Sequence, residues 1–151
     1  MKKISILLII LTLCSFTSFS QETKTDSETI AIKSVITSAY IDGIHNLGDI
    51  QAIKDGFHPG FDLLIQDKGH LSFLPIYTWI EMVEQRKAEN PNGPAEKTSV
   101  EFVNIDVTGT AAVAKIDLFK GGKKIFTDYL SLYKFDESWK IVSKIYYRIP
   151  E

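Results

Sequence analysis

Two hydrophobic periods divide the chain. From residue 98 to residue 149 apolar and polar residues alternate with a period of two, and before that stretch the spacing is mostly helical. Ser99 to Val107, Thr110 to Phe119, Ile125 to Phe135 and Trp139 to Ile149 are rich in β-branched and aromatic residues, which predicts four successive antiparallel strands. Thr108-Gly109, Gly121-Gly122 and Asp136 to Ser138 are the turns between them, and the glycine pair tolerates the positive φ of a tight hairpin. On the last strand Trp139, Ile141, Ser143, Ile145, Tyr147 and Ile149 share one face, while Lys140, Lys144 and Arg148 share the other. One face of the sheet is therefore expected to be covered and the other to be partly wet.

Upstream, Ile32, Val35, Ile36, Ala39, Tyr40, Gly43 and Ile44 form a helical stripe, with Asp26 or Ser27 as the cap and Gly48 as the stop. Asp49 caps a second, short helix that ends at Gly56. Phe57-His58-Pro59-Gly60 breaks it and leads into a small hairpin, Phe61 to Gln66 and Leu71 to Leu74, around Asp67-Lys68-Gly69. A third helix is expected to start at a Thr78–Glu81 capping box with Tyr77 and Met82 as its hydrophobic staple. Helices and a hairpin followed by a run of strands, without βαβ alternation, predict an α+β fold: about three N-terminal helices and a small hairpin packed on a curved four-stranded antiparallel sheet.

A chain of 151 residues favours one domain with a sizeable core. Met1-Lys2-Lys3, the apolar run Ile4 to Leu13 and the small residues Ser18 and Ser20 predict a signal peptide over residues 1–20. A polar linker over 21–27 and a single domain over 28–151 follow, and the mature chain is expected to be exported, periplasmic or extracellular. The apolar run is too short for a permanent span. Lipid attachment at Cys14 is disfavoured by the bulky Leu13 before it. With Cys14 removed, no disulfide, thiolate nucleophile or cysteine metal site remains. Loss of Lys2 and Lys3 takes the formal charge from −2 to about −4, a poor match for nucleic acid.

Tyr40-Ile-Asp-Gly43, Asp49, Phe57-His58-Pro59, Thr78-Trp79, Asp128-Tyr129-Leu130 and Trp139-Lys-Ile-Val142 carry a resemblance over about Thr29 to Pro150. They resemble the cone-shaped nuclear transport factor 2-like superfamily, and more narrowly its SnoaL-like, exported bacterial branch labelled putative lumazine-binding. The resemblance implies a cone-like (cystatin-like) fold around a ligand pocket and a homodimer packed through the sheet. The superfamily holds isomerases, dehydratases, cyclases and non-enzymatic binders, so function has to be argued from the site.

No phosphate loop, nucleophile elbow or paired metal-ligand histidines are present, so neither a cofactor nor a metal is expected. His45 closes the first helix, where a cation suits the dipole; His70 is placed in a solvated turn. His58 either faces the pocket mouth or bonds loop backbone to fix the turn. Asp106, Asp117 and Asp128 interrupt apolar strands. The resemblance implies that a pocket aspartate would work as a general base, with Asp128 the candidate; the alternative is pairing on a wet face with Lys115, Lys144 or Arg148. A two- or three-residue turn at Asp136 to Ser138 decides whether Asp128 or Tyr129 shares a face with Trp139. Tyr40, Phe57, Phe61, Phe73, Trp79, Tyr129, Trp139 and Tyr147 are the rings such a fold gathers, and Tyr40, His58, Trp79, Tyr129 and Tyr147 are the expected ligand contacts.

Three functions follow. The first is a secreted, non-catalytic module binding a planar or aromatic molecule. The second is an isomerase- or dehydratase-type enzyme using Asp128, with Tyr40 or His58 polarising the substrate. The third is a protein-interaction domain with a self-filled interior, and a ligand site should enclose at least ~300 Å³ to exclude it.

Overall fold

A computed structural model describes residues 16–150, with side chains from Thr25 onward. Residues 1–15, which hold most of the expected signal peptide and Cys14, lie outside it. The elements are α1 (Phe16–Val35), a π-helical segment continuing it (Ile36–His45), α2 (Ile50–Gly56), β1 (Phe57–Asp67), β2 (His70–Pro75), α3 (Ile76–Glu89), β3 (Thr98–Thr108), β4 (Ala111–Lys120), β5 (Lys123–Phe135) and β6 (Ser138–Arg148). Among the described residues no helix is long and apolar enough to cross a membrane.

The sheet has six strands rather than four, in the order β2-β1-β6-β5-β4-β3. The expected hairpin is real but is not separate. Its strand β1 pairs in parallel with β6, through Phe57 with Ile141, Asp62 with Ser143 and Leu63 with Lys144. All other pairings are antiparallel. The parallel pair joins strands far apart in the chain, so no turn signal between them announces it.

In the antiparallel ladders three residues without a partner bend this sheet: Val103 on β3, Ile125 on β5 and Val142 on β6. The last matters most. Leu132 faces Ile141 and Ser131 faces Ser143, so Val142 is extra and the alternation of β6 reverses there. Trp139 and Ile141 are buried before it; after it Lys144 is buried while Ile145 and Tyr147 are exposed. The single face expected for Trp139 to Ile149 is thus split in two. The hairpin itself has two turn residues, with Phe135 opposite Ser138, and Asp128 falls on the side of Trp139.

The helices roof the inner face. The buried stripe Ile32, Ile36, Ala39, Tyr40, Gly43 and Ile44 is as read, and the wider π-helical turn brings Ile41 in as well. Close helix contact depends on two glycines: a Cβ on Gly43 would lie 2.5 Å from Ile53 Cγ1, and one on Gly56 would lie 2.2 Å from the Ala39 Cβ. Asn46 ties the end of this roof to β3, donating to the Thr98 carbonyl (3.0 Å) and accepting from the Thr98 amide (2.8 Å). At the other end Glu28 accepts from Lys134 (2.8 Å) and from the Trp139 indole (2.6 Å), clamping α1 to β5 and β6.

Two helix starts differ from expectation. No cap interrupts α1 at Asp26 or Ser27, and residues 21–27, read as a tether, are helical; the stretch contains neither glycine nor proline to break it. The helix α3 begins at Ile76 behind Pro75 without a side-chain cap, and both Tyr77 and Met82 are exposed. Proline's fixed φ, together with the pairing of Pro75 to Asp62, sets that boundary ahead of the Thr78 box.

Candidate ligand-binding site

Between the π-helical segment, α3 and the inner face of β1, β5 and β6 lies a cavity of about 220 Å³, lined by Tyr40, His45, Leu63, Trp79, Phe126, Lys144, Tyr146 and Arg148. The reversal at Val142 is what supplies Lys144, Tyr146 and Arg148 to it. Asp128, fully buried on β5, holds the base of this group together. It accepts a hydrogen bond from the Tyr40 hydroxyl (2.5 Å, to Oδ2) and pairs with the Lys144 ammonium (3.3 Å, to Oδ1). Of these two contacts only the first has hydrogen-bond geometry; Oδ1 has the ion pair alone.

Lys144 is only 5 % exposed and is the one buried lysine among the described residues. Its Nζ stands over three ring faces, those of Tyr146 (4.5 Å), Tyr40 (5.3 Å) and Trp79 (5.9 Å). Burial pushes its pKa down, and the charge of Asp128 only partly opposes the shift. Burial pushes the Asp128 carboxyl up, against the pull of Lys144 and the Tyr40 hydrogen bond. Burial and then the neighbouring carboxylate raise Tyr40 well above the ordinary phenol range, so it remains a proton donor.

His45 packs edge-on against Tyr40 (4.7 Å between ring centres), and its buried Nε2 has no hydrogen-bond partner. Burial and the nearby cations Lys144, Arg86 and Lys120 lower its pKa to about 3, so it is neutral at physiological pH. This replaces the helix-end cation expected from its position. With His45 uncharged, Lys144 and Arg148 outnumber Asp128, and the site carries a net positive charge.

Of the five expected ligand contacts, Tyr40 and Trp79 line the cavity and three lie elsewhere. Tyr129 is exposed on the outer face, under the Lys115 ammonium (5.6 Å). Tyr147 is 60 % exposed on the same outer face, because it follows the extra residue Val142. His58 stacks on Phe135 (4.7 Å between centres, 17° between planes), and its Nδ1 accepts from the Gly60 amide (3.0 Å), which fixes the turn. Asp106 is exposed, and Asp117 bonds Thr127 (2.7 Å) and Lys124 (2.7 Å). Of the eight rings expected to gather, Tyr40, Phe57, Phe61 and Trp79 do so. Trp139 is buried against Glu28 instead, and Phe73 is exposed on the edge strand. The pairing of Asp128 with Lys144 was among the expectations, but it is buried rather than on a wet face, and strict alternation left Lys144, Tyr146 and Arg148 out of the expected cavity lining. Among the described residues no cluster of histidine, cysteine and carboxylate side chains could hold a metal.

A curved sheet roofed by helices over a charged, ring-lined cavity defines a cone-shaped α+β ligand-binding domain. The chain belongs to the family described as "Putative lumazine-binding", whose pattern matches residues 27–147. Its fold is that of the nuclear transport factor 2-like superfamily. It is similar to a protein of unknown function of that superfamily from Silicibacter pomeroyi DSS-3 (TM-score 0.66, 21 % identity, covering 83 % of this chain and 98 % of the other). A second, from Shewanella baltica OS155, is also of unknown function (TM-score 0.64, 25 % identity, covering 83 % and 96 %). By sequence it is similar to Aldolase FrzH of Cladobotryum sp., 28 % identical over 104 residues, which are 68 % of this chain and 78 % of that one.

Proposed function

We propose that this chain is an exported small-molecule-binding domain whose cavity takes a compact, flat, unsaturated ligand bearing an oxygen acceptor. The observation that carries this reading is the set of Tyr40, Trp79 and Tyr146 faces around the buried Lys144, beside the unpartnered Nε2 of His45. Ring walls favour a planar molecule, and a positively charged site favours carbonyl or carboxylate oxygens. At about 220 Å³ the cavity does not reach the ~300 Å³ that would exclude the interaction-domain function, so that alternative stands beside this one, and a ligand that fits is small. Export rests on Met1-Lys2-Lys3 and the apolar run to Leu13; cleavage after Ser20 would keep the part of α1 that packs on the sheet. The outer sheet face, with Val113, Tyr129, Tyr133, Ile145 and Tyr147 exposed, is the surface through which a homodimer would form. Native mass spectrometry of the full chain from its own host should show a retained organic molecule that is lost in Trp79→Ala. Adduct-free protein from the host would refute the binding reading.

A second reading, proton-transfer chemistry at a carbonyl, is favoured by the buried Asp128 within hydrogen-bonding distance of the Tyr40 hydroxyl. Similarity to a protein named an aldolase supports it. Asp128 does not itself line the cavity, so its proton would reach a ligand through Tyr40 or Lys144.

A further inference from the structure

We propose that Lys144 is an amine nucleophile that forms a Schiff base with a small aldehyde or ketone held in the aromatic cavity, with Asp128 and Tyr40 as its proton partners. This deepens the binding reading and rests on it, because the carbonyl compound must first occupy the cavity. Three observations converge. Lys144 is the one buried lysine among the described residues, and it lines the cavity instead of lying behind its wall. Among the described residues its only ion-pair partner is a carboxylate that is itself fully buried, at 3.3 Å. A phenol is joined to that carboxylate at 2.5 Å, so donor and acceptor are in place beside the amine.

Desolvation is the general means by which a lysine becomes a nucleophile at neutral pH, since burial disfavours the ammonium. Here burial moves Lys144 down and Asp128 up, so passing the ammonium proton to the carboxylate leaves two neutral groups where both side chains are buried. The neutral Nζ attacks the carbonyl carbon, forming a C–N bond as the C=O π pair moves to oxygen, and that oxygen takes the Tyr40 hydroxyl proton while Tyr40 takes the one held by Asp128. The carbinolamine nitrogen then returns a proton to Asp128. Expulsion of the hydroxyl as water, with that same proton passed on through Tyr40, forms the C=N bond and leaves an iminium nitrogen beside the restored Asp128 carboxylate. The sum is a carbonyl compound plus a lysine ammonium giving an iminium ion plus water, with charge and atoms balanced. Tyr40 holds Asp128 in place and relays these protons, ending protonated as it began. The rings of Tyr146, Tyr40 and Trp79 that now face the ammonium would equally face the iminium cation.

The competing account is a permanent ammonium in an aromatic cage, and trapping separates the two. The full chain is incubated near pH 7 with benzaldehyde, or with acetone as a smaller ketone, in the presence of cyanoborohydride, and labelled lysines are mapped by peptide mass spectrometry. Lys144 is expected to be alkylated at least tenfold faster than the exposed Lys33 and Lys68, and benzamide, which resembles benzaldehyde but forms no imine, should slow that labelling. Labelling of Lys144 by neither probe, or only at the rate of the exposed lysines, overturns the proposal. If benzamide then still shifts the Trp79 indole resonance, the binding reading stands alone; if it does not, both fall. Mapping the unaltered protein avoids dependence on a variant that fails to fold.

Discussion

Removing the Lys144 charge tests the central arrangement directly. In Lys144→Met the fully buried Asp128 keeps its Tyr40 hydrogen bond but loses the cation at 3.3 Å. Breaking a buried pair in this way costs about 3–5 kcal/mol, and the surviving hydrogen bond places the expectation near the lower end, at about 3 kcal/mol at neutral pH. For a chain of this size that is roughly 6–12 °C in Tm. The loss should depend on pH. Without the ammonium, nothing opposes burial as strongly, and the Asp128 pKa rises above its already raised value. A carboxyl raised in the folded state contributes stability that is complete below its unfolded pKa, about 3.9, and that is lost as pH rises through the folded value. The deficit of the variant should therefore shrink toward pH 4 and widen toward pH 7.5, at no more than about 1.4 kcal/mol per pH unit. Urea unfolding of both proteins at pH 4.5 and 7.5 measures it. A deficit below about 1 kcal/mol at pH 7.5, or one equal at the two pH values, would refute the picture of a desolvated pair. Asp128→Asn/Lys144→Met removes both charges while leaving Tyr40 an acceptor, and should recover to within about 2 kcal/mol of the parent.

Three further expectations rest on separate contacts. Gly56→Ala puts a Cβ 2.2 Å from that of Ala39 and should cost about 1–3 kcal/mol in a thermal melt; an unchanged Tm would mean that α2 can shift freely. Deleting Val142 restores strict alternation along β6 and should turn Lys144 outward, so that its acetylation rate rises to that of exposed lysines such as Lys68; continued protection of Lys144 would show that the extra residue does not set the facing. Trp139→Phe removes the 2.6 Å hydrogen bond to Glu28 and should lower stability by about 1.5–3 kcal/mol in denaturant unfolding, whereas a loss under 0.5 kcal/mol, the ~ level of a surface change, would count against the clamp.

Local order was legible from the chain. The four long strands lie within a few residues of where alternation and the turns around Gly109, Gly121-Gly122 and Asp136 place them, because each of those signals is carried by neighbours in sequence. The first helical stripe, Tyr40 included, was legible for the same reason. Long-range facts were not. That β1 joins β6 in parallel depends on two strands with no shared turn, and the width of the helix over Ile36–His45 depends on what packs beneath it.

One residue shows where the boundary lies. Period-two counting along Trp139 to Ile149 requires a register without interruption, and a bulge has no dependable signature among β-branched residues such as Val142. Sequence therefore determined that β6 would be an amphipathic strand with basic residues on one side and aromatic residues on both. Only packing against β1 and β5 decided that Lys144, Tyr146 and Arg148 turn inward while Tyr147 turns out. The physical reason is the side-chain period of exactly two residues: a single extra residue exchanges the faces of everything after it, and which face is buried is settled by the neighbouring strands rather than by the strand itself.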